Sequence, residues 1–365
     1  MKFGLLVYRD SLNIGDDVQS YAAAQFLPQV DYFLEREKMD TFKTKDNEPV
    51  AIIMNAWYMH RKWNFPPASS IYPNLVSMHI TLETISHVKD FHPITLEFLD
   101  GVGGDYMRTF APVGARDTQT LGILEQKNIP AYFSGCLTLT LPKQKIIPED
   151  KKDKKYICLV DLDSAVQEKV LKIIEKSDLE VKIMSAVITK DKLKKKKHWE
   201  SGYQAKKDEI EKYLTVYQNA ACVVTSRLHV SFPCLAMETP VLTVFSPKSP
   251  RFAGLSEFLN MVSVADFLEG NYDYDFLDPP PNKPDYLKIR EALTLNCRKF
   301  VEGARELDEI PVPLPYSEQE RKDWQIGLMR QTLNNWRKET ILAQKKLDEL
   351  EKQLSKQSKQ TKQTK

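Results

Sequence analysis

Short apolar runs alternate with stretches of helical periodicity along most of this chain, the rhythm of βαβ units built on parallel sheets. In the first half the apolar runs predict strands at Phe3–Tyr8, Val50–Met54, Val76–Ile80, Val113–Ala115 and Ala131–Phe133, with helices over Asp17–Leu27 and Thr118–Lys127. Residues 145–155 are charged and interrupted by Pro148, and read as a linker. The rhythm then restarts. Strands are expected at Tyr156–Val160, Val181–Ile188, Cys222–Ser226 and Val241–Phe245, and helices at Ser164–Lys176, Lys206–Asn219 and between the last two strands. Two Rossmann-like α/β domains follow, 1–144 and 156–316, the second closing with a return helix over Lys288–Arg305.

A different periodicity takes over near the C-terminus. Residues 317–354 predict one long helix, in which Met329, Leu333, Trp336, Thr340, Ala343, Leu347, Leu350 and Leu354 fall at alternating steps of four and three. This heptad seam suits either docking on the body at its Trp end or a short coiled coil that makes a homodimer. Residues 355–365, rich in Lys, Gln, Ser and Thr, are expected to be a disordered basic tail.

With 365 residues the chain exceeds the size at which one core usually stops growing, in line with two domains. The net charge of +2 leaves no global field that calls for nucleic acid. Five cysteines, an odd number without a CxxC, favour a reducing compartment over a disulfide framework. Phe3–Tyr8 is too short for a signal-peptide core and no stretch reaches membrane-spanning length, so a cytoplasmic location is expected. The Lys-rich run Lys192–Lys197 reads as a solvated loop, with peripheral contact to a membrane or a phosphate-rich acceptor as the alternative.

Four segments carry candidate chemistry. Asn13-Ile14-Gly15-Asp16-Asp17 follows the first strand, where a Gly turn into a helix presents free N–H groups to an anion. One of its aspartates can simply cap the helix. Arg116-Asp117 ends another strand; the arginine fork suits carboxylate or phosphate, or a structural ion pair. In Ser134–Thr140, Cys136 lacks a visible base and reads as a packing residue. In Ser226-Arg227-Leu228-His229 an apolar strand ends in a cation and an imidazole two residues apart, which strand alternation would aim together into a crevice. Downstream, Lys248 follows the Val241–Phe245 strand as a further phosphate contact. Asp161-Leu162-Asp163 has the short DxD form of some metal–nucleotide sites, but it precedes a helix, where carboxylates cap. Walker, HExxH and GxSxG motifs are absent from the sequence.

Taken in order, Asn13-x-Gly15-Asp16, Arg116-Asp117 and Ser226-Arg227-Leu228-His229 resemble the polysaccharide pyruvyl transferase family, as does Glu238-Thr239-Pro240, although the family commonly has Gly where Thr239 stands. The resemblance spans roughly Met1 to Phe258 and does not account for the long C-terminal helix. It implies a GT-B-like fold, two Rossmann-like domains facing across a cleft, and transfer of the enolpyruvyl unit of phosphoenolpyruvate to two hydroxyls of a sugar with release of phosphate. It further implies Arg227 and Arg116 on the donor, His229 as catalytic acid or base, and Asp16 as a cleft residue near the acceptor. Joined to the segments above, the expected site has His229 and Asp16 as catalytic groups, Arg227, Arg116, Ser226 and Lys248 on the donor, and Asn13 and Asp17 on the acceptor. That acceptor would be a sugar or lipid-linked oligosaccharide. The scheme requires no metal, and no cofactor beyond the donor. A GT-B glycosyltransferase using a nucleotide sugar, and a non-catalytic assembly protein acting through its C-terminal helix, are the alternative readings.

Overall fold

The computed structural model describes residues 1–9, 11–58, 64–80, 96–144, 155–195, 197–246 and 252–363. The linker read at 145–155 lies outside them except for Lys155, and Lys248 lies outside them altogether. The first half runs β1 (Lys2–Val7), α1 (Ile14–Ala24), β2 (Tyr32–Glu35), β3 (Val50–Ile53), β4 (Trp57–Tyr58), β5 (Ile71–Asn74), β6 (His79–Ile80), α2 (Gly101–Thr109), β7 (Val113–Ala115), α3 (Thr118–Gln126) and β8 (Ala131–Phe133). The second runs β9 (Tyr156–Val160), α4 (Ser164–Ile174), β10 (Glu180–Met184), α5 (Lys190–Lys195), α6 (Trp199–Gln218), β11 (Cys222–Thr225), α7 (Leu228–Met237), β12 (Val241–Phe245), β13 (Asn260–Ser263) and α8 (Val264–Glu269). Two helices close the chain, α9 (Tyr286–Arg305) and α10 (Glu318–Gln363).

Both large sheets are parallel. The first has the order β2-β1-β3-β5, and the paired β7 and β8 continue it, with Met78 bridging Ala115 and the Gly114 N–H donating to Leu75 O at 2.8 Å. The second has the order β10-β9-β11-β12-β13. The α/β class with two parallel-sheet halves and a long C-terminal helix is therefore as expected. In each sheet the order reverses beside the first strand, and open α/β sheets bind ligands in the crevice at such a switch point. In the second sheet that point lies between the carboxyl ends of β9 and β11, at Asp161 and Ser226-Arg227.

The central strands are apolar because both faces of each sheet are covered there. Along β1, Phe3, Leu5 and Val7 join one buried cluster, while Leu6 joins another. Along β9, Tyr156, Cys158 and Val160 join that same first cluster, and Ile157 and Leu159 a third. One core thus runs through both halves, built around α1, α6, α7 and α9.

The carboxyl ends of the two sheets face each other. The loop after β1 zips onto the loop after β10: Ile14 N–H donates to Ala186 O at 2.8 Å, Ile188 N–H to Leu12 O at 2.7 Å, and Asn13 pairs with Val187. Four strands escaped the sequence pattern, among them the two-residue β4. β2 is a half-buried edge with mixed residues, β13 is half-buried, and β5 carries Pro73, which weakens a strand signal. The strand expected over Val76–Ile80 shrinks to His79–Ile80, because Ser77 adopts a left-handed φ of 53° and turns the chain. Part of the Lys-rich run is helical, in α5, where a loop was expected. α10 continues to Gln363, beyond the Leu354 boundary set by the heptads. Among the described residues, no helix is long and apolar enough to cross a membrane.

Candidate active site

At the carboxyl end of β11 the chain turns at once into α7. Arg227 is the N-cap of that helix and His229 sits in its first turn, so the two are not alternate residues of a strand as the sequence reading had it. The correction has a local cause. Pro233 has no N–H to give the carbonyl four residues back, which is that of His229, and its ring crowds that carbonyl. His229 departs from helical geometry, at φ −81° and ψ 16°. The bent first turn lays the imidazole on the amino end of α1. A Cβ added to Gly15 would stand 2.7 Å from His229 Cβ and 3.1 Å from His229 Nδ1. Only a glycine at position 15 permits this approach.

Arg227 is held from one side. Its Nε donates to Asp161 Oδ2 at 3.0 Å, and the Asp161 carboxylate also accepts from Ser185 Oγ at 2.6 Å and Ala186 N–H at 3.0 Å. Ser226 Oγ donates to Asp161 O at 2.5 Å, closing the switch point of the second sheet. Among the described residues, the terminal guanidinium nitrogens of Arg227 make no hydrogen bond, and the side chain is 38% exposed. Asp163, the other half of the DxD, caps α4 by accepting from Ala165 N–H at 2.9 Å. The Asp161-Leu162-Asp163 segment thus positions an arginine and caps a helix.

Arg116 follows β7 and is buried, its side chain 4% exposed. Its Nε stands 3.5 Å from Asp117 Oδ2, and among the described residues the guanidinium makes no hydrogen bond. A buried guanidinium with empty donors is costly unless something supplies acceptors. Asp117 is committed elsewhere. It caps α3 through Thr120 N–H at 2.9 Å and meets His79 Nδ1 at 2.5 Å. Burial alone would raise its carboxyl pKa, but His79, Arg116 and the Thr120 N–H outweigh that and hold it below the usual carboxylate range. The His79–Asp117 pair was missed from sequence, since nothing along the chain links positions 38 residues apart. The loop after β12 closes on the same helix end: Thr118 N–H donates to Ala253 O at 3.3 Å, and Gly254, at φ 77°, leaves no room for a Cβ beside Thr118.

On the first-domain side, Asn13 caps α1, its Oδ1 accepting from Gly15 N–H at 3.0 Å. Asp16 is half-buried in the first turn, bonded by Ser11 Oγ and by Gln19 Nε2 at 3.3 Å. Asp17 is elsewhere. It is buried, accepts from Trp199 Nε1 at 3.3 Å and pairs with the buried Lys206 at 3.4 Å, so it ties α1 to α6 and does not face an acceptor. Sequence reasoning passed over Tyr8, just past β1. Its ring lies 4.9 Å beneath the Arg36 guanidinium and its hydroxyl is buried without a hydrogen-bond partner among the described residues. Burial pushes the Tyr8 hydroxyl pKa up, against the lowering charge of Arg36, while Asp16 and Cys136 push it further up. Cys136 packs with its Sγ 3.2 Å from Thr138 Oγ1, and burial raises its thiol pKa above the usual value, so it is held as a neutral thiol at neutral pH.

Arg116 therefore comes from a strand-to-helix turn of the first half, and Ser226, Arg227 and His229 from one of the second, where His229 meets the α1 turn at Gly15. Residues 104–249 match the family model of polysaccharide pyruvyl transferases. The matched segment contains Arg116 and the whole Ser226–His229 turn and leaves the α1 turn outside. No curated protein matches the chain. Among solved structures, it is similar to the UDP-GlcNAc 2-epimerase of Methanocaldococcus jannaschii in complex with UDP-GlcNAc and UDP, at 12% identity and a TM-score of 0.38 over 91% of this chain and 100% of that one. It is likewise similar to the S. aureus MnaA–UDP co-structure, at 10% identity and 0.38 over 92% of this chain and 97% of that one. At this level neither ligand nor reaction passes from those proteins to this one.

Proposed function

We propose that this chain is a pyruvyl transferase that moves the enolpyruvyl unit of phosphoenolpyruvate onto two hydroxyls of a sugar, in a polysaccharide or its lipid-linked precursor. The observation that carries the reading is the pair of arginines, Arg116 and Arg227, with guanidinium donors left unfilled among the described residues. Phosphoenolpyruvate brings a phosphate and a carboxylate, one for each planar fork. The amino end of α7 lies beside Arg227 and adds partial positive charge.

The chemistry follows from these positions. Protonated His229 donates to the methylene carbon of the donor, which becomes a methyl group and leaves a cation-like centre at C2. A sugar hydroxyl adds to C2, and Asp16 takes its proton. The C–O bond to phosphate then breaks, inorganic phosphate leaves, and the second hydroxyl adds to the oxocarbenium at C2 while its proton passes to the now neutral imidazole of His229, which closes the ketal. Acid–base help of this kind contributes roughly 10²–10⁴-fold. Asp17 has no part, since its carboxylate is taken by Lys206. The Tyr8 hydroxyl, beside Asp16, supports an acceptor contact at the end of β1. Five free thiols support a reducing, cytoplasmic setting.

The test is a thermal-shift series with phosphoenolpyruvate, inorganic phosphate, UDP and UDP-sugars on the native chain and on Arg227→Ala. A ligand at 100 times its Kd adds about 2.7 kcal/mol, a rise of a few degrees. The expected result is a shift with phosphoenolpyruvate that exceeds the phosphate control and is lost in Arg227→Ala. A shift with UDP compounds alone overturns the reading in favour of a glycosyltransferase, and none with any ligand favours an assembly protein.

A further inference from the structure

The C-terminal helix is held to the body by its first part alone. Arg321, Leu328 and Thr332 are buried, Arg321 Nη1 donates to Pro66 O at 3.2 Å, and the Trp324 ring lies against Gly101. Beyond the half-buried Trp336 every residue from Arg337 to Lys352 is exposed. This exposed stretch is not uniformly polar. Leu333, Leu347 and Leu350 are 55%, 49% and 44% exposed and share one stripe with Trp336, Thr340 and Ala343. Among the described residues, Leu333, Leu347 and Leu350 form an exposed apolar line at heptad spacing that a second helix would complete.

Two occupants compete for it. A lipid surface would want cations along both borders of the stripe, but Glu339 and Glu351 stand there beside Arg330, Arg337 and Lys346. Mixed signs fit a second helix better, and the distribution of signs fits this same helix turned around. We propose that α10 pairs antiparallel with α10 of a second copy of this chain. In the register that stacks Leu333 on the partner's Leu350, Thr340 meets the partner's Ala343 at the centre. There the small side chains let the backbones approach. The flanking positions then match in sign. Glu339 faces the partner's Lys346, Arg330 faces the partner's Glu351, and Arg337 faces the neutral Gln344 of the partner subunit. Each contact occurs twice by the two-fold symmetry, and no like charges meet. A parallel pair would place Glu339 opposite a glutamine and keep only the Lys346–Glu351 contact.

The test is the mass of the full-length protein by sedimentation or light scattering across concentration, at low and high salt. The native chain should approach twice its 42.1 kDa as concentration rises, and less so in high salt. Leu347→Lys should leave it a monomer. Glu339→Lys should weaken the dimer about tenfold by setting a positive charge opposite the partner's Lys346, and Lys346→Glu on that background should restore it. All these positions are exposed, so far-ultraviolet circular dichroism should stay unchanged. A native chain that stays monomeric at every concentration overturns the proposal, and so does a dimer indifferent to Glu339→Lys, which would mark the parallel arrangement. Neither outcome touches the ligand test of the proposed reaction.

Discussion

Gly15 shows how much of the site turns on one atom. The His229 side chain packs where one at position 15 would begin: a Cβ there would stand 2.7 Å from His229 Cβ and 3.1 Å from the ring Nδ1. Gly15→Ala is expected to keep the fold, because alanine is a better helix former and position 15 lies in the first turn of α1. It should push His229 out of line and lower kcat by 10²-fold or more while donor KM changes little. Steady-state kinetics beside a melting curve checks this; an unchanged kcat would remove His229 from the proton-transfer step. At the same scale, Arg116 and Asp117 are neighbours with divergent fates. The carboxylate is spent on His79 and a helix cap, and the guanidinium is left with open donors. Sequence marked only the arginine of the two as a candidate. Which was spent and which was open depended on His79, brought in by the sheet.

Among the elements, α7 is the one whose form matters most to the site. Its mid-helix Pro233 and its strained entry place Arg227 outside the helix and His229 inside it. Pro233→Ala restores the missing N–H donor to the His229 carbonyl, and a straighter first turn should follow. The expected outcome is a protein of equal or greater stability with reduced turnover, read from denaturant midpoints and kinetics on one preparation. Loss of both together would mean that Pro233 serves packing alone. The end of the apolar strand at Thr225 was legible in the residue pattern. The helix beginning immediately after it was not, because Arg-Leu-His fits a strand as easily as a helix start until the tertiary position of the carbonyls is known. β2 and β13 were hidden for a related reason, since half-buried strands need not be as apolar as central ones.

In the whole molecule, the two halves are joined by a continuous core and by one buried ion pair, Asp17 of α1 with Lys206 of α6, both fully buried. Glu209 Oε2 meets the same ammonium at 2.5 Å. Removing one member of such a pair leaves a buried charge, at a cost of about 3–5 kcal/mol. Lys206→Met is therefore expected to lower the urea midpoint strongly, and Asp17→Asn added to it should recover much of the loss. If the single variant unfolds like the native protein, the pair does not bind the halves. α9 adds a second tie, as Arg290 donates both to Ala236 O at 3.1 Å and to Leu141 O at 3.3 Å. The meeting of the two carboxyl edges, which lays His229 of the second half against Gly15 of the first, is a property of this joined body.

By itself the sequence determined what is local. The period of its apolar positions fixed parallel α/β halves and a heptad helix, since burial on two sheet faces or along one helix stripe leaves a pattern that neighbours on the chain can express. Its strand-end motifs named most of the polar residues of the site. Only the tertiary structure decided their roles. It took Asp17 into the core against Lys206, joined His79 to Asp117, pinned Arg227 on Asp161 and left the Arg116 donors open. A side chain's charge and hydrogen bonding are set by groups within a few ångströms in space, and here those groups lie from one to well over a hundred residues away along the chain.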